Sequence, residues 1–385
     1  MTVHGGGDAG LRIGLFAHRL AHRHPTGIAR YIRELACAVG KFSGEDAEIG
    51  LMSTHEADPP QWIPHTLKSQ VLPWPRTAVQ LAWCLGSGPR LERGVGPLDV
   101  VHLLQPFPPV RTAAPQVATV HDLFPFDHPD WYRPSERWTY RRSLKLIVER
   151  AVLIVVPSSY VADRAVSTLG IDPARIRVVP QGVTGAFAQA QSDEELAQTC
   201  KRFGLDPGSF AVCVGAVSTR KNVITLVRAA AELSDHGISL VLIGPDGHGA
   251  EDVDTEIARL GRAARVVRTG YLDDRQTAAL VQAAAVLLHP TLGEGFGFVP
   301  LEAMVARTAV IAARISSIPE VVGEGAVLVD EPTKSGAWAQ AIIELVGDPE
   351  RLQAVIAAGD RQVAQFTWER TARIMLDIYR DVAQR

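Results

Sequence analysis

The sequence predicts an α/β protein built from two doubly wound parallel-sheet domains. Three observations carry this. At 385 residues the chain is too long for one ordinary core, so two domains with a cleft between them are expected. Short apolar strands alternate with helical stretches from Leu11 onward. That alternation pauses in the Gln-, Ala-, Asp- and Glu-rich segment Gly182 to Gly208 and restarts at Phe210.

The first strand is expected at Leu11–Ala17, after a Gly-rich start, with His18 to Thr26 as a loop. From Gly27, the run IARYIRELACAV puts Ile28, Ile32, Leu35 and Val39 on one helical face. Further strands are expected at Val100–Leu104, Gln116–Val120, Leu153–Val156 and Arg177–Val179, with helices near 134–149 and 159–169. The second series reads as strands Phe210–Val214, Ser239–Ile243, Arg265–Val267, Val286–His289, Ala309–Ile311 and Val327–Val329. Amphipathic helices at 333–346 and about 367–382 close the chain.

Composition narrows the function. Lys and Arg total 39 against 42 Asp and Glu, so the basic excess that neutralises nucleic-acid phosphates is missing, and no nucleic-acid partner is expected. Cys37, Cys84, Cys200 and Cys213 lie far apart and read as buried, reduced thiols. No stretch matches a membrane span or a leader peptide, so a cytoplasmic protein is expected, with room for peripheral membrane contact.

The strongest chemical signal is Leu292 to Glu302 (LGEGFGFVPLE), where glycines follow a strand and Pro300 sits where a helix would begin. Outward-pointing amides and the dipole at such a terminus suit a nucleotide diphosphate. Glu294 and Glu302, eight positions apart, are carboxylates able to accept hydrogen bonds from the hydroxyls of a donor sugar and of a ribose. A tight turn with two solvated acids is the plainer alternative.

This pattern resembles the E-x7-E signature of the retaining GT-B glycosyltransferases of the large group-four family, which includes mannosyl- and glucosyltransferases. Val214 to Asn222 (VGAVSTRKN) is similar to the family's strand-loop motif ending Arg-Lys-Asn, and Thr26 to Tyr31 (TGIARY) to its N-terminal glycine loop. Ile315 to Asp330 is similar to the stretch after the second Glu, and Val178 to Val183 to the domain-joining segment, so the resemblance covers nearly the whole chain. Two departures stand out. The family usually writes Ala-Cys-Gly-x-Pro where this chain has Val305-Ala306-Arg307-Thr308-Ala309, and Gly27 follows Thr26 where many members have Gly-Gly.

His121 directly follows a strand and so reaches the edge where open α/β sheets bind ligands. The resemblance makes it the active-site histidine near the reacting carbon. His4, His18, His22 and His24 have no metal-ligand spacing and read as surface residues. Asp252-Val253-Asp254 matches a metal-binding DxD in form, but it opens an expected helix, Thr255 to Ala264, where acids favour the dipole. The loop after the first strand contains no GxGxxG, which argues against a Rossmann dehydrogenase, and no Walker loop occurs. Trp131, Tyr132, Trp138 and Tyr140 could line an acceptor pocket or pack on a helix; Arg133, Arg137, Arg141 and Arg142 could meet an anionic acceptor or water.

The resemblance implies a GT-B architecture: two facing Rossmann-like domains, with residues 1–182 on the acceptor side, 183–365 holding the donor, and a helix within 366–385 crossing back. The resemblance implies metal-independent, retaining transfer of a hexose, mannose before glucose, from a GDP, UDP or dTDP sugar to a small-molecule, glycan or lipid acceptor. The nucleotide sugar is a co-substrate, and no further cofactor is expected. His121, Glu294, Lys221 and Arg220 are the catalytic candidates; Gly27, Gly295, Phe296, Gly297, Phe298 and Glu302 are the donor-binding ones. Phosphate charge developing as the glycosidic bond breaks would be met by Arg220, Lys221 and loop amides. A nucleotide-sugar epimerase and a non-catalytic nucleotide-sugar-binding protein are the alternatives; a phosphorylase would need a far longer chain.

Overall fold

The computed structural model describes residues 10–18, 20, 27–54, 62–183 and 185–385. The chain divides into two compact units, Met1–Gly182 with Thr367–Arg385, and Val183–Phe366.

The first unit is a parallel sheet of β1 (Leu11–Phe16), β2 (Ala47–Ser53), β3 (Lys68–Val71), β4 (Val100–Leu103), β5 (Gln116–Thr119), β6 (Leu153–Val156) and β7 (Ile176–Val178). Their order across the sheet is β3-β2-β1-β4-β5-β6-β7. Every residue of β4, β5 and β6 is buried, because helices cover both faces of a parallel sheet. Strands β2 and β3 were not expected from the sequence. The edge strand β3 reads KSQV and is mostly exposed, so it carries no apolar run to detect. Several expected strands end one residue early, yet Ala17, Leu104 and Val120 still donate main-chain bonds to Met52, Phe16 and Val155.

Helix Gly27–Phe42 buries Tyr31, Ile32, Leu35 and Val39 as its periodicity requires; Ile28, expected on the same face, is 37% exposed. The terminal helix Trp368–Ala383 belongs to this unit and packs on Gly27–Phe42, burying Ala372, Met375, Leu376, Tyr379 and Val382. Where the chain leaves the unit, a Cβ on Gly182 would lie 2.3 Å from the Trp368 nitrogen, so only glycine fits.

The second unit is a parallel sheet of β8 (Phe210–Val214), β9 (Ser239–Ile243), β10 (Val266–Gly270), β11 (Val286–His289), β12 (Val310–Ala313) and β13 (Val327–Val329). Their order is β10-β9-β8-β11-β12-β13. Strand β8 alternates: Ala211 and Cys213 join one core, Phe210 and Val212 the other. The helix expected at Thr255 to Ala264 instead runs Ala250–Leu260, because Gly249 in a left-handed conformation caps it earlier. Helix Pro349–Val363 was not expected, although Leu352, Val355, Ile356 and Val363 recur at helical spacing and pack half-buried against the cores.

In both sheets the strand order reverses at the first strand. Ligand crevices form outside the C-terminal strand ends at such reversals, which here lie beside β1 and β4 and beside β8 and β11.

Candidate functional site

In the second unit the reversal gathers charge. Lys221 and Arg220 follow β8 in the 3₁₀ turn Thr219–Lys221, and Glu294 follows β11. Lys221 donates to one Glu294 carboxylate oxygen; Arg220 donates to the other at 3.2 Å and to the Gly293 carbonyl at 2.8 Å. His289, the last residue of β11, is 2% exposed, and its Nε2 lies 3.7 Å from the same carboxylate.

Titration follows from this crowding. Burial alone would raise Glu294, but Lys221 and Arg220 outweigh it and hold the carboxyl below its usual range. Burial lowers Lys221, with Glu294 opposing. Burial, reinforced by Lys221, pulls His289 down to about 3, so it is neutral at physiological pH. Lys221 and Arg220 thus face the Glu294 carboxylate at the strand ends, with the neutral His289 imidazole beside it.

The main chain fixes this arrangement. Asn222 adopts φ 52°, a left-handed conformation that asparagine tolerates better than most residues. Its amide donates to the carbonyls of Pro290 at 3.1 Å and Pro332 at 2.7 Å, and its oxygen accepts from Thr225, which pins the Arg-Lys turn to the end of β11. The Glu294 N–H donates to Ser316 Oγ at 2.9 Å, and Ser317 Oγ donates to the carbonyls of Glu294 and Phe296.

Helix Phe298–Val305 starts two residues before Pro300, which is its third residue rather than its first. Its N-cap is Gly297, at φ 113°, with no side-chain cap; a Cβ there would meet Ile318 at 2.8 Å. Gly295 lies in the preceding loop. Phe296 is 5% exposed and packs edge-on against Phe298 and Phe366, so its ring is committed to the core. Glu302 is buried within the helix. Asp254 pairs with Arg268, as does Asp246, while Asp252 lies in the first turn of Ala250–Leu260. Among the described residues, no group of three or more His, Cys, Asp or Glu could hold a metal ion.

In the first unit, His121 follows β5 and its Nε2 donates to the Leu104 carbonyl at 2.9 Å. A carbonyl only accepts, so the proton of the neutral ring sits on Nε2 and Nδ1 keeps its lone pair. Burial pulls this histidine down to about 4. Tyr31 meets its ring edge-on, with centroids 4.7 Å apart. Gly27 opens helix Gly27–Phe42, whereas Thr26, His4, His22 and His24 lie outside the described residues. His18, read as a surface residue, is half-buried, with Nδ1 2.6 Å from Gln80 Nε2.

The aromatic segment divides. Trp131 stacks on His128 at 4.0 Å and Tyr140 donates to the Asp122 carbonyl at 2.7 Å, while Trp138 is 65% exposed. Arg141 donates to the Pro125 carbonyl and covers the Phe126 ring. Of the cysteines, Cys200 and Cys213 are buried but Cys37 and Cys84 only half-buried. No helix among the described residues is long and apolar enough to cross a membrane.

Sequence reasoning missed His289, which reads as one more residue of an apolar strand, and the pinning role of Asn222. A polar side chain closing a strand beside the switch point is the signal that could have found His289.

Residues 201–362 match the family model described as Glycosyl transferases group 1, and residues 25–185 that of Glycosyltransferase Family 4. The D-inositol 3-phosphate glycosyltransferase of Rhodococcus opacus (strain B4) is 34% identical over 61% of this chain, a match spanning 54% of the relative's length. The alpha-maltose-1-phosphate synthase of Mycolicibacterium smegmatis is 31% identical over 70% of this chain and 73% of its own. Among solved structures, the Anabaena HepE protein in complex with UDP and glucose superposes with a TM-score of 0.75 at 19% identity, covering 96% of this chain and 99% of that one. The chain thus spans about half the length of the first of these relatives.

Proposed function

The chain belongs to glycosyltransferase family 4, with two parallel-sheet Rossmann-like domains of the GT-B kind, and on that premise we propose that it is a retaining, metal-independent hexosyltransferase using a nucleotide diphosphate sugar in the cytoplasm. The observation that carries the reading is the pair of cations, Arg220 and Lys221, gathered around Glu294 at the strand reversal of the second unit. An anion is the natural occupant there.

In the proposed reaction the bond between the anomeric carbon and the diphosphate oxygen breaks as the acceptor oxygen bonds to that carbon. The acceptor proton passes to the departing phosphate. Charge building on that phosphate is met by Lys221 and Arg220 and by amides at the start of Phe298–Val305. Glu294 and Glu302 accept from donor hydroxyls, and the Nδ1 lone pair of His121 accepts from the donor sugar. Mannose is the first donor sugar to test and glucose the second. Both relatives carry a phosphate ester in their names, so a phosphorylated polyol or sugar heads the acceptors to test, before glycans and lipids.

The test is a thermal-shift panel of GDP-mannose, UDP-glucose and dTDP-glucose, followed by incubation of the stabilising donor with acceptors in excess chelator. NMR of the product's anomeric proton should show an α linkage from an α donor. Transfer that requires added manganese or magnesium contradicts metal independence, and a β product contradicts retention. Conversion of the donor alone to an isomer supports an epimerase, and binding with neither outcome supports a non-catalytic protein.

A further inference from the structure

A buried row of hydrogen-bonding groups runs through the first unit from the terminal helix toward His121. The Tyr379 hydroxyl lies 2.6 Å from His102 Nδ1, His102 Nε2 lies 2.8 Å from Thr119 Oγ1, and Thr119 Oγ1 lies 2.8 Å from the Tyr31 hydroxyl. Tyr31 then sets its ring edge-on to His121, at 80° between planes. Tyr31 is 2% exposed, Thr119 1%, and His102 and Tyr379 are fully enclosed.

The protons in this row can be assigned. Burial pulls His102 down to about 3, so the neutral ring carries one proton between its two nitrogens. Burial likewise raises Tyr379, which keeps its proton and, with His102 as its hydrogen-bond partner, donates to Nδ1. The His102 proton is therefore on Nε2 and is donated to Thr119. Thr119 and Tyr31 share the last bond of the row, in which either hydroxyl can be the donor.

Apolar residues of similar shape could fill this space at comparable stability. A polar row instead fixes direction. We infer that it is a positioning device: Tyr379, His102 and Thr119 hold the Tyr31 ring, and Tyr31 on one side with the Leu104 carbonyl on the other holds the His121 imidazole so that Nδ1 faces the donor sugar. Residues from the far end of the chain thus tune a group placed beside the reaction. The inference rests on the sugar-contacting role proposed for His121.

The experiment compares Tyr379→Phe, Tyr31→Phe, the double variant and His121→Ala, using whichever of GDP-mannose or UDP-glucose the parent protein turns over. Histidine-ring ¹⁵N spectra of each folded protein are recorded without substrate. Both single hydroxyl deletions should lower kcat by about tenfold to a hundredfold while donor KM stays within about threefold. The double variant should be no worse than the poorer single one, because one row is broken twice. His121 ring signals should shift or broaden in all three. Folded Tyr379→Phe with parental kcat and unchanged His121 signals overturns the inference, as do effects that multiply in the double variant. If Tyr379→Phe does not fold, Tyr31→Phe carries the same comparison. Parental activity in His121→Ala sinks the role proposed for His121 and leaves the ring spectra to decide positioning.

Discussion

Lys221 shows how much one residue is asked to do. It lies against Glu294 in a nearly dry setting, where an ammonium is stabilised by its partner and stands ready for a more highly charged one. Diphosphate charge grows as the glycosidic bond breaks, so the contact should favour the transition state over the bound donor. Lys221→Ala should fold, since Arg220 still neutralises Glu294, and its kcat should fall on the order of 10²–10³ while donor KM rises less. Near-parental kcat in the folded variant would remove Lys221 from the phosphate site. The buried histidines make a second prediction. His102 and His289 are each pulled down to about 3, well below the ~6.5 of an unfolded chain. Between those values the unfolded chain binds more protons, so their contribution is full above pH ~6.5 and is lost as pH falls, approaching 1.4 kcal/mol per pH unit for each. Unfolding free energies measured in urea should decline from pH 7 to pH 5; a flat profile would mean that these rings are not held neutral. At this scale the acids and cations were legible, because glycine spacing and the Arg-Lys-Asn string mark them. The pairing of Glu294 with Lys221 and Arg220 was not, since it arises from two loops brought together by strands that are distant in sequence.

Elements with continuous apolar runs were legible almost to the residue: β6, β8, β9, β11 and β13 have the bounds their sequences predict. Of those missed, β3 buries too little to leave a periodic trace. By contrast, β2 alternates Ile49 and Leu51 into the core and helix Pro349–Val363 carries Leu352, Val355, Ile356 and Val363 at helical spacing, patterns short or half-buried enough to be overlooked. The end of helix Phe298–Val305 bears on the family motif. Arg307, at the position where the resembled motif has glycine, adopts φ 58°, with its N–H donating to Met304 and that of Thr308 to Ala303. This is a left-handed helix termination, in which a side chain is strained and glycine is not. Arg307 also pairs with the half-buried Asp360 at 3.5 Å, but the arginine is exposed and such a pair contributes little. Arg307→Gly should therefore stabilise the second unit by about 1 kcal/mol, raising its Tm by about 2–4 °C. A lower Tm would mean that the ion pair outweighs the strain.

At the scale of the molecule, the first unit is discontinuous: the chain leaves it at Gly182 and returns at Thr367. Its last segment is no appendage. Helix Trp368–Ala383 buries Ala372, Met375, Leu376, Ile378, Tyr379 and Val382, and Thr371 donates to the Pro180 carbonyl at 2.8 Å beside the exit point. Buried aliphatic side chains contribute roughly 1.5–3 kcal/mol each, so several together rival the roughly 5–15 kcal/mol that holds a whole domain folded. Removal would also strip His102 of its Tyr379 partner and expose the face of Gly27–Phe42 that the helix covers. The second unit keeps its own sheet and cores without that segment, since its chain runs unbroken from Val183 to Phe366. A chain ending at Phe366 should therefore lose the first unit while the second stays folded. Limited proteolysis is expected to degrade residues before Val183 rapidly and leave a resistant fragment close to Val183–Phe366, with one of the parent's calorimetric transitions missing. Equal protection of both units in the shortened chain would show that the first unit folds without its terminal helix, and the row from Tyr379 to Tyr31 would then be decoration on a core that is stable without it.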